Sequence, residues 1–147
     1  METLQTAFIE DHHRADALFE AARQAIGAGD WALAQAHFSA FRRGIENHMR
    51  VEETFLFPAF EGAPGNTDDP LTHILRKGHK DLHAFFEEVL EAILSQDAEE
   101  ALEVMGTVQV ILEQHDAKEE NELYPAIDGL LQPQSATVLS ELAARDA

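Results

Sequence analysis

Apolar residues along this chain recur at steps of three and four. Leu4, Ala7 and Phe8 are followed by Ala15, Leu18, Phe19, Ala22 and Ile26, a spacing that lays one apolar stripe along a helix. The stripe breaks at Gly27–Gly29, where glycine supplies a left-handed C-terminal turn. Asp30 then stands as the N-cap of a second helix, with Trp31 packing at that corner. The second helix runs through Phe38, Phe41, Ile45, His48 and Phe55 to about Phe60, and Pro58 lies in its last turn or kinks it. Gly62 to Asp69 is the clearest loop, and Asp69-Pro70 reads as a cap with proline at the first helical position. A third helix spans about Pro70 to Leu94. Asp97 caps a fourth, which carries Val104, Val108, Leu112, His115 and Leu123 and ends near Gly129. Gly106, inside it, is locally costly and is expected to serve close helix contact or leave room for a small molecule. Ser135 is placed to cap a short tail helix with Val138, Leu139 and Leu142 facing inward. No stretch alternates convincingly as a strand. The pattern predicts an all-α fold, an antiparallel up-down-up-down four-helix bundle with a short C-terminal helix, as a single domain over residues 1–147.

The pattern is written twice. Residues 48–59 read HMRVEETFLFPA and residues 115–126 read HDAKEENELYPA, with six of twelve positions identical. The same offset of 67 residues places His12 over His79, Phe19 over Phe86, Glu20 over Glu87 and Asp30 over Asp97. The chain therefore divides into two helical hairpins, about 1–62 and 68–131.

The repeat carries metal-ligating side chains. His12 falls on the first helix, His48 and Glu52 on the second, His79 and His83 on the third, His115 with Glu119 and Glu120 on the fourth. A step of four returns to the same face one turn later, about 6 Å along the axis. His12 precedes Asp30 by 18 residues and His48 follows it by 18; His79 and His115 flank Asp97 in the same way. In an antiparallel bundle those four histidines share one depth. Five imidazoles and two carboxylates exceed what one tetrahedral zinc takes. Two six-coordinate ions offer about twelve positions. Five imidazoles, two bridging carboxylates and an oxo or hydroxo bridge fill all but one, which is left for a small ligand.

Charge and composition narrow the partners. Twenty-eight acidic against ten basic residues give a net charge of −18, which repels nucleic acid and anionic lipid. The absence of cysteine excludes disulfides, thiolate catalysis and Cys-ligated zinc or iron–sulfur clusters. The N-terminus lacks a signal-peptide core and no apolar run approaches the roughly 20 residues of a bilayer span, so a cytoplasmic location is expected.

The order His…His-x-x-x-Glu…His-x-x-x-His…His-x-x-x-Glu, covering residues 7–126, resembles the hemerythrin-like, or HHE cation-binding, proteins. The resemblance implies a four-helix bundle with a non-haem di-iron centre, two iron ions with an oxo or hydroxo bridge. His79, His83 and His115 would bind one iron, His12 and His48 the other, and Glu52 would bridge. It implies a protein that binds O2, peroxide or nitric oxide as sensor, carrier or scavenger, rather than a dedicated enzyme. A di-iron oxidase or peroxidase, an iron-homeostasis regulator, and a zinc or manganese bundle are the alternatives. Oxygen-carrying hemerythrins have His-x-x-x-x-Asp on the last helix. Here that five-step position is Glu120, with Glu119 at four. Regular helix geometry and the match to Glu52 select Glu119; a one-residue bulge would select Glu120.

Three further residues bear on the site. Asp16, the repeat partner of His83, is either a ligand or hydrogen-bond partner of a ligating histidine, or a solvated carboxylate. Tyr124 is a candidate hydrogen-bond donor or redox-active phenol, although Phe57 at its repeat position argues for packing. His13, His37 and His73 are expected outside the site. A ferritin-like centre needs two Glu-x-x-His motifs; the chain has one, Glu10-x-x-His13.

Overall fold

A computed structural model describes residues 2–145. Helix α1 (Leu4–Gly27) opens on Thr3, whose side chain accepts from the Thr6 N–H. It closes on Gly29 at φ 72°, where the Asp30 N–H reaches back to the Ala25 carbonyl. Asp30 then caps α2 (Trp31–Val51) by accepting from the Leu33 N–H. The second hairpin repeats this turn. Helix α4 (Leu71–Leu94) ends where the Asp97 N–H meets the Ala92 carbonyl, and Asp97 caps α5 (Ala98–Lys118) through the Glu100 N–H. Gln96 holds Gly29's place at φ 55°.

Neither even helix runs straight to its end. After α2, residues Glu52–Leu56 form a π-helical turn, closed by the Phe57 N–H donating to the Glu52 carbonyl, before α3 (Phe57–Glu61). After α5, Glu119–Leu123 do the same, with the Tyr124 N–H donating to the Glu119 carbonyl, before α6 (Tyr124–Leu130). Pro58 and Pro125 stand one residue after each closing bond. A proline lacks the N–H for an ordinary i→i−4 bond and its ring crowds that carbonyl; the wider turn relieves both. The expected kink at Pro58 is thus a π turn, and it occurs in both copies.

Two boundaries shift by one residue. Pro70 is itself the N-cap of α4, and the Asp69 carboxylate takes the Leu71 N–H at 2.9 Å. Ser135 is the first residue of α7 (Ser135–Ala143) rather than its cap, after a 3₁₀ turn over Gln132–Gln134. Val138 and Leu142 of α7 are buried, and the Asn47 amide pins the helix by donating to the Glu141 and Leu142 carbonyls, both at 3.1 Å. There is no strand among the described residues, and no helix among them is long and apolar enough to cross a membrane.

The bundle buries two apolar clusters. One gathers Phe19, Phe38, Phe41, Phe86, Met105 and Val108; the other gathers Phe8, Leu56, Phe57, Leu75, Leu123 and Tyr124. On α1, Phe8 belongs to one cluster and Ala15 to the other. His12, between them, sits at the seam, and His48, His79 and His115 occupy the same seam on their helices. Apolar layers on both sides make that seam a low-dielectric place for polar groups, which must therefore find partners.

Gly106 does not serve close contact. It is exposed, and a Cβ there would meet nothing within 4 Å. Gly106→Ala should therefore raise stability by about 0.5–1 kcal/mol, seen as a higher denaturant midpoint at unchanged slope.

Candidate metal centre

Six residues converge at the seam. His12, His48, His79, Glu52 and Glu119 are buried, as is nearly all of the His115 ring. They form two groups that share both carboxylates. In the first, ligand atoms of His12, His48, Glu52 and Glu119 lie within 4.8 Å of one another; in the second, those of Glu52, His79, His115 and Glu119 do. Each carboxylate splits its oxygens. Glu52 Oε2 lies 3.1 Å from His48 Nε2, while its Oε1 lies 3.1 Å from His79 Nε2. Glu119 Oε1 lies 3.2 Å from His12 Nε2, while its Oε2 lies 3.2 Å from His115 Nε2.

The π turns explain why Glu119, and not Glu120, points inward. A bulge is present, but it begins at Glu119. The Glu119 N–H still bonds to the His115 carbonyl, as the Glu52 N–H bonds to that of His48. Each His-x-x-x-Glu step is therefore an ordinary helical turn, and the widening follows it. Glu120 stands behind the site and meets His12 Nδ1 at 2.8 Å. Its repeat partner Glu53 meets His79 Nδ1 at 2.6 Å. Each hairpin thus orients the other hairpin's histidine, and holding Nδ1 leaves Nε2 free to face an ion.

The remaining two histidines break the symmetry. Asp11 Oδ2 lies 2.8 Å from His48 Nδ1 and is itself held by Arg14 Nε at 2.8 Å. Gly44 makes room for that arginine: a Cβ there would sit 2.7 Å from Arg14 Nη1. The second copy has Gly78 in place of Asp11, and a Cβ at Gly78 would lie 2.7 Å from His115 Nδ1. Asp11, Glu53 and Gly78 had no prior claim on the site from sequence. Glu53 was within reach, as the repeat partner of Glu120; Asp11 was not, because nothing in the other copy echoes it.

His83 is not brought to the site. Its ring is 44 % exposed and its Nδ1 meets Glu46 Oε2 at 2.9 Å. The ring lies one turn from the shared depth, and a surface carboxylate partners it there without desolvation. Asp16, its repeat partner, is also exposed. It lines a groove of about 450 Å³ between α1 and α5, with Glu113, Asp116 and Glu120, that reaches His12. On the opposite side, between α2 and α4, Arg42 pairs with Glu46 and Glu87, and His83 adds to that network. Glu10 and His13 are exposed, which removes the lone ferritin-like motif from the site. His73 is exposed and His37 is outside both groups.

Tyr124 is more than packing. It is fully buried, and its hydroxyl donates to Glu52 Oε2 at 2.5 Å and stands 3.1 Å from Glu119 Oε1. Phe57, its repeat partner, only stacks on His79, with ring centroids 5.3 Å apart.

The carboxylates favour the protonated form of His12, His48 and His79. Burial opposes charge on His12, but Glu119 and Asp116 outweigh it and lift the ring to about 9. Burial likewise opposes charge on His79, and Glu119, Glu52 and Glu53 lift it to about 11. His48 rises well above its ordinary value against the same burial, through Glu52 and Asp11. Burial acts to raise Asp11, but His48 and Arg14 hold it at about 2. Asp116 lies 3.3 Å from His12 Nε2, but burial outweighs the neighbouring imidazoles and pushes it up to about 7.

Besides Arg14 Nη2, four buried side-chain atoms among the described residues make no hydrogen bond: Glu52 Oε1, His79 Nε2, His115 Nε2 and Glu119 Oε2. They are the four that face one another in the second group. Buried polar atoms left in this way are costly, and a cation among two imidazoles and two carboxylates would satisfy all four at once. The donor set therefore fits a metal ion.

Comparison with curated proteins gave no match, and comparison with solved structures gave none. The family model described as the hemerythrin HHE cation binding domain matches residues 3–142. With a buried His/Glu site able to hold metal at the centre of a helical bundle, the chain belongs to the hemerythrin HHE cation-binding family.

Proposed function

We propose that the protein is a non-haem di-iron protein that binds O2 or a related small ligand, peroxide or nitric oxide, as sensor, carrier or scavenger. The observation that carries this reading is the division of Glu52 and Glu119, each giving one oxygen to either two-histidine group. Two carboxylates shared in this way suit a pair of adjacent ions better than one. The nitrogen and oxygen donors, with no thiolate, suit iron and also admit zinc or manganese. Bound iron would supply the redox-active centre at which the small ligand is held. The protein's part is to fix the donors and keep the seam dry between its apolar layers.

His83 enters this proposal as a seventh ligand. The second group lacks the hydroxyl that Tyr124 gives the first, and His83 lies one turn from His79 on α4. Turning its ring away from Glu46 would bring a third imidazole to that ion. His83→Ala should then weaken the second ion selectively and leave the first in place. Unchanged stoichiometry, affinity and spectrum would make His83 a surface partner of Glu46 and nothing more.

The reading is tested by metal content and absorption on iron-reconstituted protein, taken from anaerobic to aerobic conditions. About two irons per chain, colourless when reduced and strongly absorbing after air, is the expected result. Colour that bleaches on removing O2 would favour carriage or sensing. Rapid irreversible oxidation would favour the oxidase, peroxidase or iron-homeostasis alternatives. One zinc, or no response to air, would refute the di-iron reading.

A further inference from the structure

The two ion positions differ in one atom. The Tyr124 hydroxyl oxygen lies 2.5 Å from Glu52 Oε2, 3.1 Å from Glu119 Oε1, 3.0 Å from His48 Nε2 and 3.2 Å from His12 Nε2. Those are the four donor atoms of the first group, and the phenol oxygen stands among them. A phenol has a single proton to give, so it cannot donate to both carboxylates. Its place is the one a shared partner of all four atoms would take. The equivalent atoms of the second group have no such partner, because Phe57 has no hydroxyl to offer.

The π turn sets this up. Tyr124 is five residues beyond Glu119, and the bond from its N–H to the Glu119 carbonyl makes those two residues neighbours on one face. Phe8 packs on the tyrosine ring, centroids 5.5 Å apart, and the His12 ring stacks at 5.6 Å. The ring is therefore held on two sides with its oxygen directed at the donors.

We propose that Tyr124 is a ligand of the first ion, bound through its phenolate oxygen. The phenolic O–H bond breaks, the proton leaves to solvent, and the oxygen keeps the electron pair with which it coordinates; no oxidant or reductant is needed. The consequence is a division of labour. The first position is closed by the phenolate, so an exogenous ligand meets the second ion, in the place that His83 leaves open while its ring stays on Glu46. The number and identity of the ions rest on the di-iron reading, but the ligation by Tyr124 does not require iron.

Tyr124 is the chain's only tyrosine, so any tyrosinate signal belongs to it. The ultraviolet difference spectrum on loading with Zn(II) at neutral pH should show a tyrosinate band, absent from Tyr124→Phe. That variant places in the second copy the residue the first copy already has, which favours its folding. Ferric-loaded wild type should show tyrosinate ring modes in resonance Raman with visible excitation, lost in the variant. A loaded protein whose tyrosine stays protonated would overturn the proposal and leave the di-iron reading intact if two irons are bound. Tyrosinate with zinc but no uptake of two irons would uphold it while the di-iron reading failed. Failure to bind either metal would overturn both.

Discussion

Glu119→Gln should deprive the protein of both ions, whereas Glu120→Gln should leave both bound. Glu119 is buried and gives one oxygen to each group, so its loss removes a donor from two positions at once. It also removes the negative charge that two adjacent cations need between them. Glutamine keeps the volume, so the bundle should stay helical by circular dichroism. Metal per chain is expected to fall from about two to below one. Glu120 is partly exposed and reaches only His12 Nδ1, at 2.8 Å. Losing that hold should weaken the first ion about 10–100-fold without changing the stoichiometry at saturating metal. The readouts are metal analysis after desalting and a competitive chelator titration. Loss of the second ion in Glu120→Gln alone would refute the assignment of Glu119 as a bridge.

The parts of this site that could be read from sequence are those the two hairpins share. His12 with His79, His48 with His115 and Glu52 with Glu119 all follow from one offset and one helical period, and all six converge. The bundle follows in the same way, because an apolar stripe at helical spacing leaves little choice of architecture. The parts that could not be read are where the copies differ. Asp11 has Gly78 as its counterpart, Tyr124 has Phe57, and His83 has Asp16. Comparing copies favours the common property of each pair, which is packing for Tyr124 with Phe57 and nothing for Asp11 with Gly78. What decides such positions is contact between hairpins, which periodicity does not carry. The π turns fall between these cases. Pro58 and Pro125 announce an irregularity, but only the folded backbone shows that it follows the glutamate rather than preceding it. That one-residue placement separates Glu119 from Glu120.

Removing metal should reverse the sign of the protein's pH dependence between about pH 5 and 9. In the stripped protein His12 titrates at about 9 and His79 at about 11, both above the roughly 6.5 of an unfolded histidine. A raised histidine stabilises fully below its unfolded value, and that contribution is lost as pH rises through the folded value. Asp116, raised to about 7 by burial, acts in the same direction: its neutral form suits the fold, and stability falls as pH climbs from its unfolded value of about 3.9 towards 7. Asp11, held at about 2, contributes above its unfolded value and fails only as pH falls towards 2, outside this window. Chelated protein should therefore melt at a higher temperature at pH 5 than at pH 9. Loaded protein should do the opposite, because imidazoles bind metal only when neutral. At pH 7 loading must displace about three protons from His12, His48 and His79, and a fourth from Tyr124 when it binds as phenolate, so the product of the two association constants should rise roughly a thousandfold per pH unit without the phenolate and roughly ten-thousandfold with it. Repulsion from the net charge of −18 weighs on both forms alike, so the difference between them isolates the site. Thermal melts of chelated and anaerobic Fe(II)-loaded protein across this range, with calorimetry in buffers of different ionisation enthalpy to count the protons, provide the check. Parallel pH profiles for the two forms, or loading that releases no protons, would mean that the buried histidines do not face the metal.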